Sequence, residues 1–140
     1  MNKDKKATIK YAGDEMFVAV SPGGHAQVLD ANAERRAAAS PMELLMLAVG
    51  GCTAVDVISI LEKKRQNVTD YRVEVTGERR DEHPRSFRVL KIKHIVRGRS
   101  VSPEAVAHAI KLSDEVYCSV AATLKPAAEI VTSFEIIEED

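Results

Sequence analysis

From Pro41 to about Gln66 the sequence reads as one long helix, and its first half, Leu44 to Val49, is apolar on nearly every side. A helix without a polar face has no side to give to water and must be surrounded by protein. A chain of 140 residues has little material to surround it. The start is well marked: Ser40 can cap, Pro41 suits the first helical position, and Glu43 can reach back as the second half of a capping box. The apolar run from Leu44 to Leu61 has the length of a membrane span. Asp56, the Gly50-Gly51 pair and the polar Thr53 and Ser59 count against one, so the expectation is a buried helix of a soluble protein and no membrane partner.

Short β-favourable segments precede the helix at Ala7 to Tyr11, Met16 to Val20 and His25 to Leu29, separated by turn-forming Ala12-Gly13-Asp14-Glu15 and Ser21-Pro22-Gly23-Gly24. They predict a three-stranded meander, followed by a surface loop over Asp30 to Ala39. After the helix, Tyr71 to Arg79 and Phe87 to Val96 alternate as two long strands joined by the charged turn Arg80 to Arg85. Ser102-Pro103-Glu104 opens a second helix to about Tyr117, with Val106, Ile110 and Val116 on its buried stripe. A third helix is expected from Cys118 to Leu124, and a last strand from Glu129 to Ile137. The order βββ-α-ββ-α-α-β is an α+β pattern with mostly antiparallel pairing, and residues 1–140 read as a single domain.

The 20 basic and 21 acidic residues leave a net charge of −1, so no global field attracts nucleic acid. Met1 to Lys6 is charged and lacks the apolar core of a signal peptide, which predicts a cytoplasmic protein. In that reducing compartment a bond between the chain's 2 cysteines would be transient and catalytic, not structural.

Cys52 lies mid-helix beside two glycines, each costing roughly 1 kcal/mol relative to alanine there. Something approaches closely at that face: either another helix, or space is left open at a reactive sulfur. Asp56 shares the Cys52 face four residues on and would raise a thiol pKa, so an activating cation must come from elsewhere, with Arg35, Arg36, Arg79, Arg80 and Arg85 as candidates. Cys118, at the break between two helices, stands at a helix N-terminus that favours thiolate; the alternative is a small buried residue at a junction. His25, His83, His94 and His108 are scattered and the cysteines lack zinc-type spacing, so no metal and no cofactor is expected. His94 and His108 read as exposed or hydrogen-bonded residues. Nucleotide and serine-hydrolase motifs are absent.

Ser40-Pro41-x-Glu43-Leu44-Leu45 leading to Gly50-Gly51-Cys52-Thr53-Ala54, then Tyr117-Cys118-Ser119-Val120-Ala121 after a second helix, resembles the OsmC/Ohr family, closest to its YhfA-like branch. The likeness runs from Ser40 to Ile137. It implies an OsmC-like fold, with antiparallel sheets wrapped around central helices in an intertwined homodimer, and so supplies cover for the apolar helix. It also implies a thiol peroxidase in oxidative stress defence: Cys52 attacks an organic hydroperoxide and becomes a sulfenic acid, Cys118 resolves it as a disulfide, and an external dithiol reduces the pair. In the hydroperoxide-reducing members a glutamate directly after the helix-opening proline pairs with an arginine that activates the thiol. Met42 holds that position here, which leaves Glu43 as a cap only, and Arg36 or Arg35 as the positional match for the arginine. The competing expectation is a non-catalytic dimeric module that binds a small apolar ligand, with both cysteines structural.

Overall fold

The computed structural model describes residues 5–140, so Met1–Asp4 of the charged N-terminal run lie outside the described residues. The chain forms two compact units, one up to Leu45 and one from Met46 onward.

In the first unit β1 (Thr8–Gly13), β2 (Met16–Val20) and β3 (Ala26–Asp30) pair antiparallel in sequence order, as the turn residues predict. Gly13, Asp14 and Glu15 all take left-handed backbone at the first turn, a conformation that glycine and aspartate accept most readily. The following loop is pinned, not free. The buried Asp30 carboxylate accepts the Asn32 and Ala37 N–H groups, and Arg35 bridges Asp30 and Asp14. The Arg35 guanidinium holds the Asp30 carboxyl well below the usual carboxylate range. Helix α1 (Pro41–Lys63) then opens with the capping box: the Glu43 N–H donates to Ser40 Oγ (3.2 Å), and the Ser40 N–H donates to Glu43 Oε1 (3.0 Å).

In the second unit β4 (Asn67–Arg79) and β5 (Phe87–Arg99) form the expected hairpin, and β6 (Glu129–Glu138) joins the far side of β5. The β5–β6 pairing is parallel, unlike the other strand pairs. The helical crossover between these strands permits it, since the chain can return to the same end of the sheet before β6 begins. The core joins Val57 and Leu61 of α1 to Val96, Val101, Val106, Ala109 and Ile110. By length and composition α1 could cross a membrane, yet its buried residues are built into this core. Its other face is bare in the single chain: Leu47 is 62% exposed and Val55 68%.

The crossover holds the largest departure from the sequence expectation. Helix α2 (Pro103–Leu112) stops five residues early and gives way to a π-helical turn, Ser113–Tyr117, before the short α3 (Ser119–Leu124). The Cys118 N–H reaches back five residues to the Ser113 carbonyl (2.7 Å). Ser113, at the start of the wider turn, is fully buried; beyond it the 3.6-residue stripe breaks, and Val116, expected inside, is 64% exposed.

The two glycines of α1 divide the sequence alternatives between them. A Cβ on Gly50 would stand 2.8 Å from Val75 Cγ2, so strand β4, not a helix, makes the close approach. A Cβ on Gly51, beside Cys52, would meet nothing within 4 Å. Gly50→Ala should therefore destabilise by roughly 1–3 kcal/mol, because Val75 is β-branched and held in a sheet. Gly51→Ala should be neutral or stabilising by up to about 1 kcal/mol. Urea unfolding of both variants checks this, and Gly50→Ala matching Gly51→Ala would contradict the packing.

Candidate functional site

Cys52 projects from the middle of α1, Asp56 lies one turn on along the same face, and Cys118 is the N-cap residue of α3. The two sulfurs and a carboxylate oxygen of Asp56 all lie within 4.8 Å of one another. Both cysteines are free thiols. A disulfide needs its sulfurs at about 2.05 Å, a closure well within side-chain rotation plus a small backbone adjustment. The 65-residue gap in sequence is thus closed in space, by the π-helical turn that delivers Cys118 to the flank of α1.

The two thiols differ in access and electrostatics. Cys52 is half-buried, next to the open side of Gly51, whereas Cys118 is only 3% exposed. Burial pushes the Cys118 thiol up to about 11; the Ala121 N–H, which donates to its sulfur at 3.4 Å, opposes this, and contact with Cys52 and the Asp56 charge add to it. The helix N-terminus supplies the donor that the sequence suggested, but desolvation outweighs it, so Cys118 rests as a thiol at neutral pH and the expected thiolate preference is corrected.

Beneath the cysteines runs a hydroxyl chain that sequence reasoning missed. Ser113 Oγ donates to Asp56 Oδ2 (2.9 Å) and lies 2.8 Å from Thr53 Oγ1. A serine has one hydroxyl proton, and the carboxylate takes it, so Thr53 must donate to Ser113. The order is Thr53 to Ser113 to Asp56, and it fixes the carboxylate beside the sulfurs. The signal in the sequence was slight: Ser113 falls seven residues after Val106 on the buried stripe of α2, a polar residue at a core position.

A second buried polar pair sits on the sheet. Tyr71 Oη and His94 Nδ1 are 2.7 Å apart, and His94 Nε2 is buried with no hydrogen-bond partner among the described residues. Burial lowers the His94 pKa to about 4. Tyr71 is raised above its ordinary value by burial first and by the Asp56 charge second. Of the two sequence alternatives for His94, hydrogen bonding is the one found.

The arginine candidates are engaged elsewhere. Arg35 is locked between Asp30 and Asp14. Arg36 takes left-handed backbone and donates from Nε to the Ala33 carbonyl (2.7 Å). Within the same unit its charge lowers the Glu43 pKa, a smaller effect than the hydrogen bonds from Ser40. Arg79 donates from Nε to the Arg85 carbonyl, Arg85 from Nε to the Arg80 carbonyl, and Arg80 to the carbonyls of Phe87 and Ala127, with no bond to Cys52 among the described residues. A cavity of about 480 Å³ borders the site, its wall combining Val55, Ile60, Leu112 and Tyr117 with the polar Asp56, Ser59, Lys63 and Lys64.

The family model "OsmC-like protein" matches residues 32–133. Protein YhfA of Escherichia coli (strain K12) is 44% identical over 132 residues, covering 94% of this chain and 98% of that protein. A crystal structure of a protein from Aquifex aeolicus VF5 superposes with a TM-score of 0.88 at 32% identity, covering 99% of this chain and 100% of the other. An organic hydroperoxide resistance protein from Elizabethkingia anophelis shares the fold, with a TM-score of 0.70 at 13% identity and 98% and 99% coverage. With both cysteines, the capping box and the element order in the places that the motifs indicated, the chain belongs to the OsmC-like protein family.

Proposed function

We propose that this protein is a thiol peroxidase that reduces organic hydroperoxides through the Cys52–Cys118 pair. The observation that carries the reading is the pairing of one accessible thiol with one buried thiol inside 4.8 Å. Cys52 attacks the peroxide: an S–O bond forms, the O–O bond breaks, and the alcohol leaves as Cys52 becomes a sulfenic acid. Cys118 then attacks that sulfur, the S–S bond forms, and the sulfenic oxygen leaves as water with the Cys118 proton. An external dithiol returns both cysteines to thiols, and no bound cofactor takes part. The shared fold with an organic hydroperoxide resistance protein supports this class of substrate. The bare Leu47, Val55 and Tyr117 support a homodimer, whose second copy would cover them. A compartment that keeps thiols reduced, such as the cytoplasm, suits the cycle.

Arg36 stays the candidate for activating Cys52 on its place in the sequence alone, and Met42 favours a second reading. Without the family glutamate the chain would be a dimeric binding module whose cavity takes a small apolar ligand, with packing cysteines. A coupled assay with cumene hydroperoxide and a dithiol reductant, run on the unmodified protein, Cys52→Ser and Cys118→Ser, separates the two. Consumption by the unmodified protein above both variants supports the peroxidase. Equal background rates in all three would overturn it in favour of the binding module.

A further inference from the structure

We infer that the same three groups form a binding site for a soft divalent cation of the zinc or cadmium type, with Cys52 Sγ, Cys118 Sγ and Asp56 as protein ligands. This goes beyond the peroxidase reading and does not depend on it. The sequence offered no metal-type spacing because the third ligand is a carboxylate and the two cysteines are brought together only by the fold.

Three observations support the site. The first is size: zinc bonds of about 2.3 Å to sulfur and about 2.1 Å to oxygen in a tetrahedron put the ligand atoms about 3.6–3.8 Å apart. The three atoms already lie within 4.8 Å of one another, so a contraction of about 1 Å at most closes them on an ion. The second is preorganisation. Metal-binding carboxylates are oriented by outer hydrogen bonds, and Asp56 is held by the Thr53–Ser113 chain, with Thr53 and Ser113 both buried. The hydrogen bond engages Oδ2, and coordination needs only one carboxylate oxygen. The Ala121 N–H on the Cys118 sulfur plays the same part for that ligand. The third is topology: Cys52 and Asp56 are four residues apart on one helix, the spacing by which a helix offers two ligands to one ion, and Cys118 closes from the facing N-cap.

Two sulfurs and one carboxylate select a thiophilic ion over magnesium or calcium. Three protein ligands leave a fourth position for water on the half-buried Cys52 side. Binding displaces the thiol protons of both cysteines as the two metal–sulfur bonds form, and it excludes a Cys52–Cys118 disulfide, because both sulfurs are committed to the ion. Metal occupancy and disulfide are therefore alternative states of one site.

The test titrates the reduced full-length protein with Cd²⁺ in the absence of peroxide, following the cadmium–thiolate absorption in the ultraviolet. One ion per chain is expected. Cys52→Ser and Cys118→Ser should lose the band, and protein first oxidised to the disulfide should not bind. Asp56→Asn should weaken affinity at least about tenfold, as should Ser113→Ala, which keeps every ligand but removes the outer hydrogen bond. Circular dichroism confirms that each variant is folded, and Asp56→Ala replaces Asp56→Asn should that variant fail to fold. Absence of binding to the reduced protein, or undiminished affinity in the folded Asp56 and Ser113 variants, would overturn the site. Because no peroxide is present, this result stands apart from the outcome of the peroxidase assay.

Discussion

Cys52→Ser is expected to drop hydroperoxide consumption to the uncatalysed background, whereas Cys118→Ser is expected to react once and stop. The asymmetry follows from the site. Cys52 is the accessible sulfur, so its loss removes the atom that takes oxygen from the peroxide. Cys118 is buried and rests as a thiol, so its loss leaves the first step intact and strands Cys52 as a sulfenic acid. Dimedone trapping followed by mass spectrometry should therefore label Cys52 in Cys118→Ser, and little of it in the unmodified protein. The resolving step should also quicken with pH, by about tenfold per pH unit below the Cys118 pKa, because the thiolate is the attacking form. Because burial, the largest cause of the raised Cys118 pKa, persists after Cys52 is oxidised, the acceleration should continue into the alkaline range. A resolving rate that is flat with pH, or dimedone labelling of Cys118 in place of Cys52, would reverse the assigned roles.

The second large effect is acid sensitivity centred on His94. Folded, its ring titrates at about 4, because burial on β5 disfavours the imidazolium, and Nε2 has no hydrogen-bond partner among the described residues. Unfolded, it titrates near the ordinary value of 6.5. Between those values the unfolded chain binds a proton that the folded chain refuses. The contribution is fully present above pH 6.5, falls as pH drops toward 4, and changes no further below that. The full loss is about 3 kcal/mol. His94→Leu, which cannot charge, should be less stable than the unmodified protein at neutral pH because it leaves the part-buried Tyr71 hydroxyl without its partner, yet should lose far less stability on acidification. Urea unfolding at pH about 7.5 and about 4.5 measures both quantities, and an equal acid-induced loss in the two proteins would show that His94 is not the sensor.

Local chemistry made most of the fold legible. Ser40-Pro41-x-Glu43 and Ser102-Pro103 announce helix starts because capping satisfies backbone donors within a few residues, and both starts lie where the sequence puts them. Strand alternation in Tyr71 to Arg79 works for the same reason: it reports one covered face. The parallel β5–β6 pairing was not legible, since strand direction is decided by the crossover and not by the residues of β6. Nor was the π-helical turn, which adds one residue to a helical turn of ordinary composition and ends the stripe after Ser113, so that Val116 lies exposed.

At the site, family pattern brought the two cysteines into view, but their surroundings needed coordinates. In sequence Asp56 was legible only as a neighbour of Cys52; the fold sets it against Cys118 as well, whose raised pKa it adds to. Its tie to Ser113 and Thr53 could not be read, because it joins residues almost sixty positions apart. Arg35 looked equivalent to Arg36 in sequence, and only the ion pairs with Asp30 and Asp14 take it out of contention.

The most direct measurement of the redox pair is a non-reducing peptide map of the protein after one equivalent of cumene hydroperoxide. The site geometry predicts a peptide containing Cys52 joined to one containing Cys118, with the bond formed within a single chain and reversed by a dithiol. Two free cysteines, or Cys52 carried on to sulfinic acid with Cys118 still a thiol, would contradict it.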